Sequence, residues 1–427
     1  MKKIILGLLG IGFIMLAIFL YNLGQRPNRE YPTFPLQPEK NASTVPDSIP
    51  LRDVVVTGNN WDGVITIFDP NTFQIIRKIS AMPDREERFA EIYSGFKRRL
   101  AAGFIREFVG EGNDQLVDDM FTSNDGRYIY ASRPSFADVV AIDANSGEIA
   151  WRTPVEGLRA DHSAISPDGK IFLVSASTAR KVHAIDVSTG KIVGGFESGD
   201  QPHENTYSED GTKIYHASIG KVIVSSPSLD FLKGDRWFQI VDANTYEIIR
   251  RVDIKDRLEE AGYDMMDRAI RPMAITKDEK FAYLQISLFH GFFEYDIEQD
   301  KITRKLDLPI PDVNKDLSPG DHLLNSGHHG IAISGDDKTI CVAGTMDGYI
   351  AIVDRETFEY QTIQLSDDPK EAKPYWATSS KDGTKAYVSI SGLDKVAVVD
   401  YATGKVIAEV PVGNHPQRVR NGQLRLQ

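Results

Sequence analysis

Five of the nine histidines in this chain stand at the start of short β-type runs: His162, His203, His328, His329 and His415. Asp118, Asp119, Asp161, Glu204, Arg271, Tyr375, Trp376 and Arg418 occupy the same place in these runs or in others. Imidazole, carboxylate, guanidinium and aromatic groups that converge on a concave surface make a ligand pocket. His162, His203 and His329, with carboxylates nearby, have the donor types that hold a divalent transition metal such as Zn²⁺, Cu²⁺ or Fe²⁺. His162 or His203 beside Glu204 has the types for general acid–base work, which makes a metal-dependent hydrolase, lyase or oxidoreductase one reading. An organic ligand without metal is a second, and a hydrated channel lined with polar side chains is a third. The quantity that separates them is the distance between the ring nitrogens. His183, His216 and His290 fall inside strand-like runs and read as structural, His322 has no assigned role, and Cys341 in Thr339–Val342 reads as buried and inert.

The elements that must position these residues come from a repeat. A β-rich run ending in aspartate recurs at Asp69, Asp143, Asp186, Asp242, Asp296, Asp354 and Asp400, seven copies in all. A polar turn recurs as Ser123-Asn124-Asp125-Gly126, Ser166-Pro167-Asp168-Gly169, Ser208-Glu209-Asp210-Gly211 and Ser380-Lys381-Asp382-Gly383, with weaker copies at 276–279 and 334–337. Asp bonds its own backbone in such reversals and Gly accepts positive φ. The flanking runs are short, β-branched and aromatic. Four strands per period is the pattern of a β-propeller blade, so the expectation is all-β: a seven-bladed propeller of four-stranded blades over 53–427. The first blade lacks its innermost strand, and His415-Pro416-Gln417-Arg418-Val419 has no successor. The C-terminal strand is therefore expected to close the ring.

The unit of strand, Ser-Pro-Asp-Gly, strand, Ile-Asp and Thr-Gly-Lys resembles the YVTN-type β-propeller repeat family. Its best copies are 166–169 with Ala184–Lys191, and Val398–Lys405. The resemblance implies an extracytoplasmic binding protein related to the propellers of quinohaem amine dehydrogenase and nitrous oxide reductase.

Long insertions at 81–115, 217–235, 254–270 and 307–328 interrupt the repeat. Antiparallel strand order puts all four on one face, the top, together with the first residues of the innermost strands. In 84–108, Phe89, Ile92, Phe96, Leu100 and Phe104 recur at helical spacing, and Leu258, Ala261 and Met265 form a weaker stripe. Helical caps on the top face are expected, with a small molecule or a protein as the partner there. The cluster Lys97-Arg98-Arg99 also suits a membrane-lying helix.

Lys2 and Lys3 precede an uncharged apolar run from Ile4 to Tyr21, near the minimum for a bilayer-spanning helix. The run ends without a small-x-small cleavage site. An uncleaved N-terminal transmembrane anchor over 1–24 is expected, contacting the membrane directly and followed by a Pro-rich stalk over 25–52. The remainder would then be membrane-anchored and extracytoplasmic, on the periplasmic or cell-surface side. A formal charge of −12 argues against nucleic acid as a partner. One cysteine excludes a disulfide framework, a CxxC metal site and covalent haem c. Four tryptophans at unrelated repeat positions argue against a quinoprotein alcohol dehydrogenase.

Overall fold

The computed structural model describes residues 18–34, 49–263, 267–322 and 325–427. Its strands form seven four-stranded antiparallel sheets, the blades of a propeller. The innermost strands touch one another in a closed circle. Met120–Thr122 meets Ala160–Ile165, followed by Pro202–Tyr207, Ile270–Ile275, Ile331–Ile333, Pro374–Ser379 and Pro416–Leu424, which returns to Met120–Thr122. Pro416–Leu424, the C-terminal strand, pairs with β1 (Arg52–Asn59) from Arg52↔Leu424 to Asn59↔Pro416. The C-terminal strand thus closes the ring, as expected.

The recurring aspartates sit at the ends of the third strands because each caps the turn that follows. Asp69 Oδ1 accepts from the backbone N–H of Asn71 and of Thr72, both at 2.9 Å. Asp143, Asp186, Asp242, Asp296, Asp354 and Asp400 accept from turn N–H groups in the same way. In the other turn, Ser166 Oγ donates to Asp168 Oδ1 at 2.6 Å, and Gly169 takes φ +70°. Second and third strands are buried on both faces, as Val396–Val399 shows, while fourth strands such as Lys191–Glu197 are largely exposed. The core is the packing between neighbouring sheets. Val54, Ile65, Ile129, Val140 and Leu424 join the first two blades, and Tyr215, Phe238, Leu284 and Tyr295 join the fourth and fifth.

The first insertion forms two helices, α1 (Arg85–Tyr93) and α2 (Phe96–Phe108), and the third forms α3 (Ile254–Glu260). Met265 lies outside the described residues. Phe89 is buried with Met82, Leu116 and Phe136, whereas Phe96 and Phe104 stay exposed. Arg133, wholly buried, ties this insertion to the second blade through Asp138, Asp84 and the carbonyl of Ala81.

A helical stretch at 18–23 leads into a chain that lies on these helices from Leu23 to Tyr31. Arg26 pairs with Glu86 at 2.9 Å and stands over the Phe89 ring at 4.4 Å. Gly103 allows the approach: a Cβ there would lie 1.8 Å from the carbonyl oxygen of Leu23. Among the described residues no helix is long and apolar enough to cross a membrane, and most of the anchor expected at 1–24 lies outside them.

Candidate functional site

The innermost strands bring His162, His203 and His329 together at the channel. One ring nitrogen from each lies within 4.8 Å of those of the other two, and the His162 and His203 rings are 3.6 Å apart between centroids. Glu204 approaches His162 Nδ1 at 2.7 Å, and Arg418 donates to His162 Nε2. A nitrogen that accepts carries no proton, so Nδ1 of the neutral ring bears the hydrogen and donates to Glu204. His329 bonds the Tyr375 carbonyl through Nδ1 at 3.2 Å, which leaves Nε2 with a bare lone pair and no partner. His203 Nδ1 is likewise buried and unpartnered. Burial holds all three imidazoles well below their usual pKa, reinforced by Arg418 at His162 and His329 and by Arg271 at His203. Burial pushes Glu204 up to about 8 against the opposing pull of Arg420 and Arg418.

Four guanidinium groups surround the histidines, and they are not equally paired. Arg420 holds Asp119 by two hydrogen bonds of 2.9 and 2.8 Å, and Arg159 holds Asp161 by two of 3.3 and 3.2 Å. Arg418 stands 3.5 Å from Asp118, but Asp118 Oδ2 and the Nε and Nη1 atoms of Arg418 lack hydrogen-bond partners. Arg271 donates through Nε to Ser287 Oγ at 2.8 Å, and among the described residues no carboxylate lies within ion-pair distance of it. Burial therefore lowers its pKa, with Tyr375, Asp267 and Asp161 offsetting only part of the effect. A buried guanidinium without a carboxylate is an anion site in waiting, because an incoming anion would supply the missing charge and acceptors.

Above these groups lies a cavity of about 310 Å³. Its floor includes His162, His203, Arg271, Tyr375, His415 and Arg418. Its walls come from α2, through Ala101, Phe104, Ile105 and Phe108, and from Ile219, Val222 and Ile223 of the second insertion. Asn325 of the fourth insertion also borders it. His415 lies flat on Trp61 with ring centroids 3.7 Å apart, and burial lowers its pKa to about 3.

The other expected site residues lie elsewhere. Glu204 and Trp376 line the opening on the side of the Ser-x-Asp-Gly turns, so Tyr375 rather than Trp376 borders the upper cavity. His328 points away from His329, as successive residues of an extended chain do. It joins His290, His322 and Asp347 beneath the fourth insertion. The sequence reading missed that group and the apolar walls. His290 and Asp347 precede the third strands of neighbouring blades, and the insertion carrying His322 links those blades. That juxtaposition was available from the repeat register. His216 is satisfied by Ser198 at 2.7 Å and Asn205 at 2.9 Å. Cys341 is buried, which raises its thiol pKa.

The fold and this site define a seven-bladed β-propeller with a roofed channel mouth. Residues 125–227 match the family described as outer membrane protein assembly factor BamB. No curated protein matches the chain. Among solved structures, a chain of Kuenenia stuttgartiensis hydrazine synthase is similar at 16% identity and a TM-score of 0.52. The match covers 69% of this chain and 86% of that one, and it shows the propeller fold alone.

Proposed function

We propose that this chain is a membrane-anchored, extracytoplasmic β-propeller that binds an amphipathic organic anion at the top of its channel. The observation that carries the reading is the cavity itself: Arg271, without a carboxylate partner, on the floor and apolar walls from α2 and the second insertion. The guanidinium suits a carboxylate or phosphate head, and the walls suit a hydrocarbon or ring system. The YVTN-like repeat units and the apolar run from Ile4 to Tyr21 support the location. The chain from Leu23 to Tyr31 packs on α1 and α2, so an anchor over 1–24 would hold the top face toward the bilayer. The family matched over 125–227 is described as an assembly factor, which supports a protein partner.

The test is a melting series with a medium-chain alkyl carboxylate, the alkylammonium of equal length and a methyl ester. The carboxylate raises the melting temperature of the protein, and Arg271→Met removes the rise. An equal rise with the ammonium, or an undiminished rise in Arg271→Met, overturns the reading.

A second reading is metal-dependent catalysis, favoured by the mutual approach of the His162, His203 and His329 nitrogens within 4.8 Å. Arg418 on His162 Nε2 opposes it, because a guanidinium repels a dication. Metal content that disappears in His203→Ala/His329→Ala would favour this second reading over the first.

A further inference from the structure

Beneath the fourth insertion, the protons of a four-residue cluster can be assigned from hydrogen-bond roles alone. Asp347 Oδ2 lies within hydrogen-bond distance of ring nitrogens of both His290 and His328, and its Oδ1 accepts from the Asn314 amide, so the carboxylate is the common acceptor of the cluster. A carboxylate only accepts. His290 Nδ1, 2.6 Å from Asp347 Oδ2, therefore carries a hydrogen. His328 Nε2, 2.8 Å from the same oxygen, carries one as well. His322 Nδ1 lies 3.1 Å from the Ser318 carbonyl, which also only accepts, so that nitrogen is protonated too.

The consequence falls on the two remaining nitrogens. In neutral rings with Nδ1–H, the Nε2 atoms of His290 and His322 are bare. They face each other at 3.3 Å. Two lone pairs at that separation repel unless a cation lies between them. Both residues are buried, and so is Asp347. The distance equals the edge of a tetrahedron of donors with metal–nitrogen bonds of about 2.0–2.1 Å. A carboxylate bonded to the far nitrogen of a ligating imidazole is the usual way such a ring is oriented and made more basic.

We propose that His290 and His322 bind a divalent transition-metal ion of the zinc, copper or nickel class through their Nε2 atoms. Asp347 and the Ser318 carbonyl are the groups that orient them. The ion ties the fourth insertion to the fifth blade, and Asp347 extends the tie to the sixth. Asn314, also in that insertion, donates to Asp347 Oδ1 at 3.1 Å and to the Met346 carbonyl at 2.6 Å, so the segment is already seated when the ion enters. Binding displaces no proton at the ligating atoms, since both are bare. This site is separate from the channel histidines.

The experiment uses the full chain stripped with EDTA and then supplied with Zn²⁺ alone. His203→Ala/His329→Ala removes the channel cluster, and His322→Ala removes the second site. Zinc is expected to bind the channel variant and raise its melting temperature, and to do neither at the second site in His322→Ala. His322→Gln controls for packing: its zinc-free melting temperature stays near that of the parent while the zinc response is lost. No zinc uptake by the channel variant, or an undiminished response in His322→Ala combined with the channel substitutions, overturns the proposal. A bound proton between the rings would appear as the first of these results.

Discussion

The Arg418 guanidinium carbon stands 4.2 Å above the centroid of the Trp376 indole. Arg418 belongs to the closing strand Pro416–Leu424, and Trp376 to the innermost strand of the seventh blade. The same arginine donates to His162 of the third blade. One side chain from the last segment thus joins ring closure to the channel histidines. The cation–π contact adds about 2 kcal/mol at a site removed from water.

Deletion of residues 412–427 is expected to destroy the fold rather than trim it. The strand contributes Val419 and Leu424, both wholly buried, and it covers the full length of β1. Its loss exposes a long strand edge and removes Arg418 and Arg420 from beside buried carboxylates. The penalty is more than about 5 kcal/mol, beyond the range of ordinary point substitutions. A thermal melt of the truncated chain checks it; unchanged melting would mean the ring is held shut by other contacts.

Glu204 gives a pH dependence whose sign is fixed. Its folded pKa of about 8 exceeds the unfolded value of roughly 4.3, so the folded chain holds this proton more tightly. Its contribution is therefore full below the unfolded value and is lost as pH rises toward the folded one. Glu204→Gln keeps an oxygen acceptor for His162 Nδ1–H but cannot ionise. Relative to the parent, the variant should gain up to about 1.4 kcal/mol per pH unit between about pH 5 and about pH 8. Melting curves of both proteins across that range measure the difference, and parallel curves would count against a buried, protonated Glu204.

The blade count and the ring closure were legible in the sequence because their determinants are local. An aspartate that caps its own turn must recur wherever the turn does, as Asp69 and Asp400 illustrate. The approach of His162, His203 and His329 was also foreshadowed by their common repeat position. Which member of each adjacent pair faces the upper cavity was not. The innermost strands shift register at their starts, between Ala160 and Ser163, Pro202 and Asn205, Ile270 and Met273, and Pro374 and Trp376. A bulge changes the parity of the alternation, so counting residues cannot decide between Tyr375 and Trp376. The group at His290 and His322 escaped notice for a different reason: His322 sits in an irregular insertion that no period describes.

Arg133→Met should loosen the first insertion. Arg133 is bidentate to Asp138 at 2.7 and 2.8 Å and also holds Asp84. Removing a buried guanidinium while its carboxylates remain costs about 3–5 kcal/mol, and Arg152 on Asp138 keeps the loss toward the lower end. Cleavage within residues 84–108 during limited proteolysis should accelerate, since Asp84 and the Ala81 carbonyl lose their anchor at the start of α1. Equal cleavage rates in variant and parent would show that the helices are held by their apolar contacts alone.

Gly103→Ala separates the N-terminal segment from the propeller with one methyl group. Alanine favours the helix by about 1 kcal/mol over glycine, so α2 itself is not weakened. Its Cβ, however, would be 1.8 Å from the Leu23 carbonyl oxygen, and the chain at 18–34 must then move off the helix. Arg106 loses the carbonyls of Leu23 and Gln25 that it now binds at 3.3 and 3.2 Å. The expected result is faster tryptic cleavage at Arg26 and Arg29 with the main melting transition nearly unchanged. Joint loss of both would instead mean that the N-terminal segment is part of what keeps α1 and α2 folded on the blades.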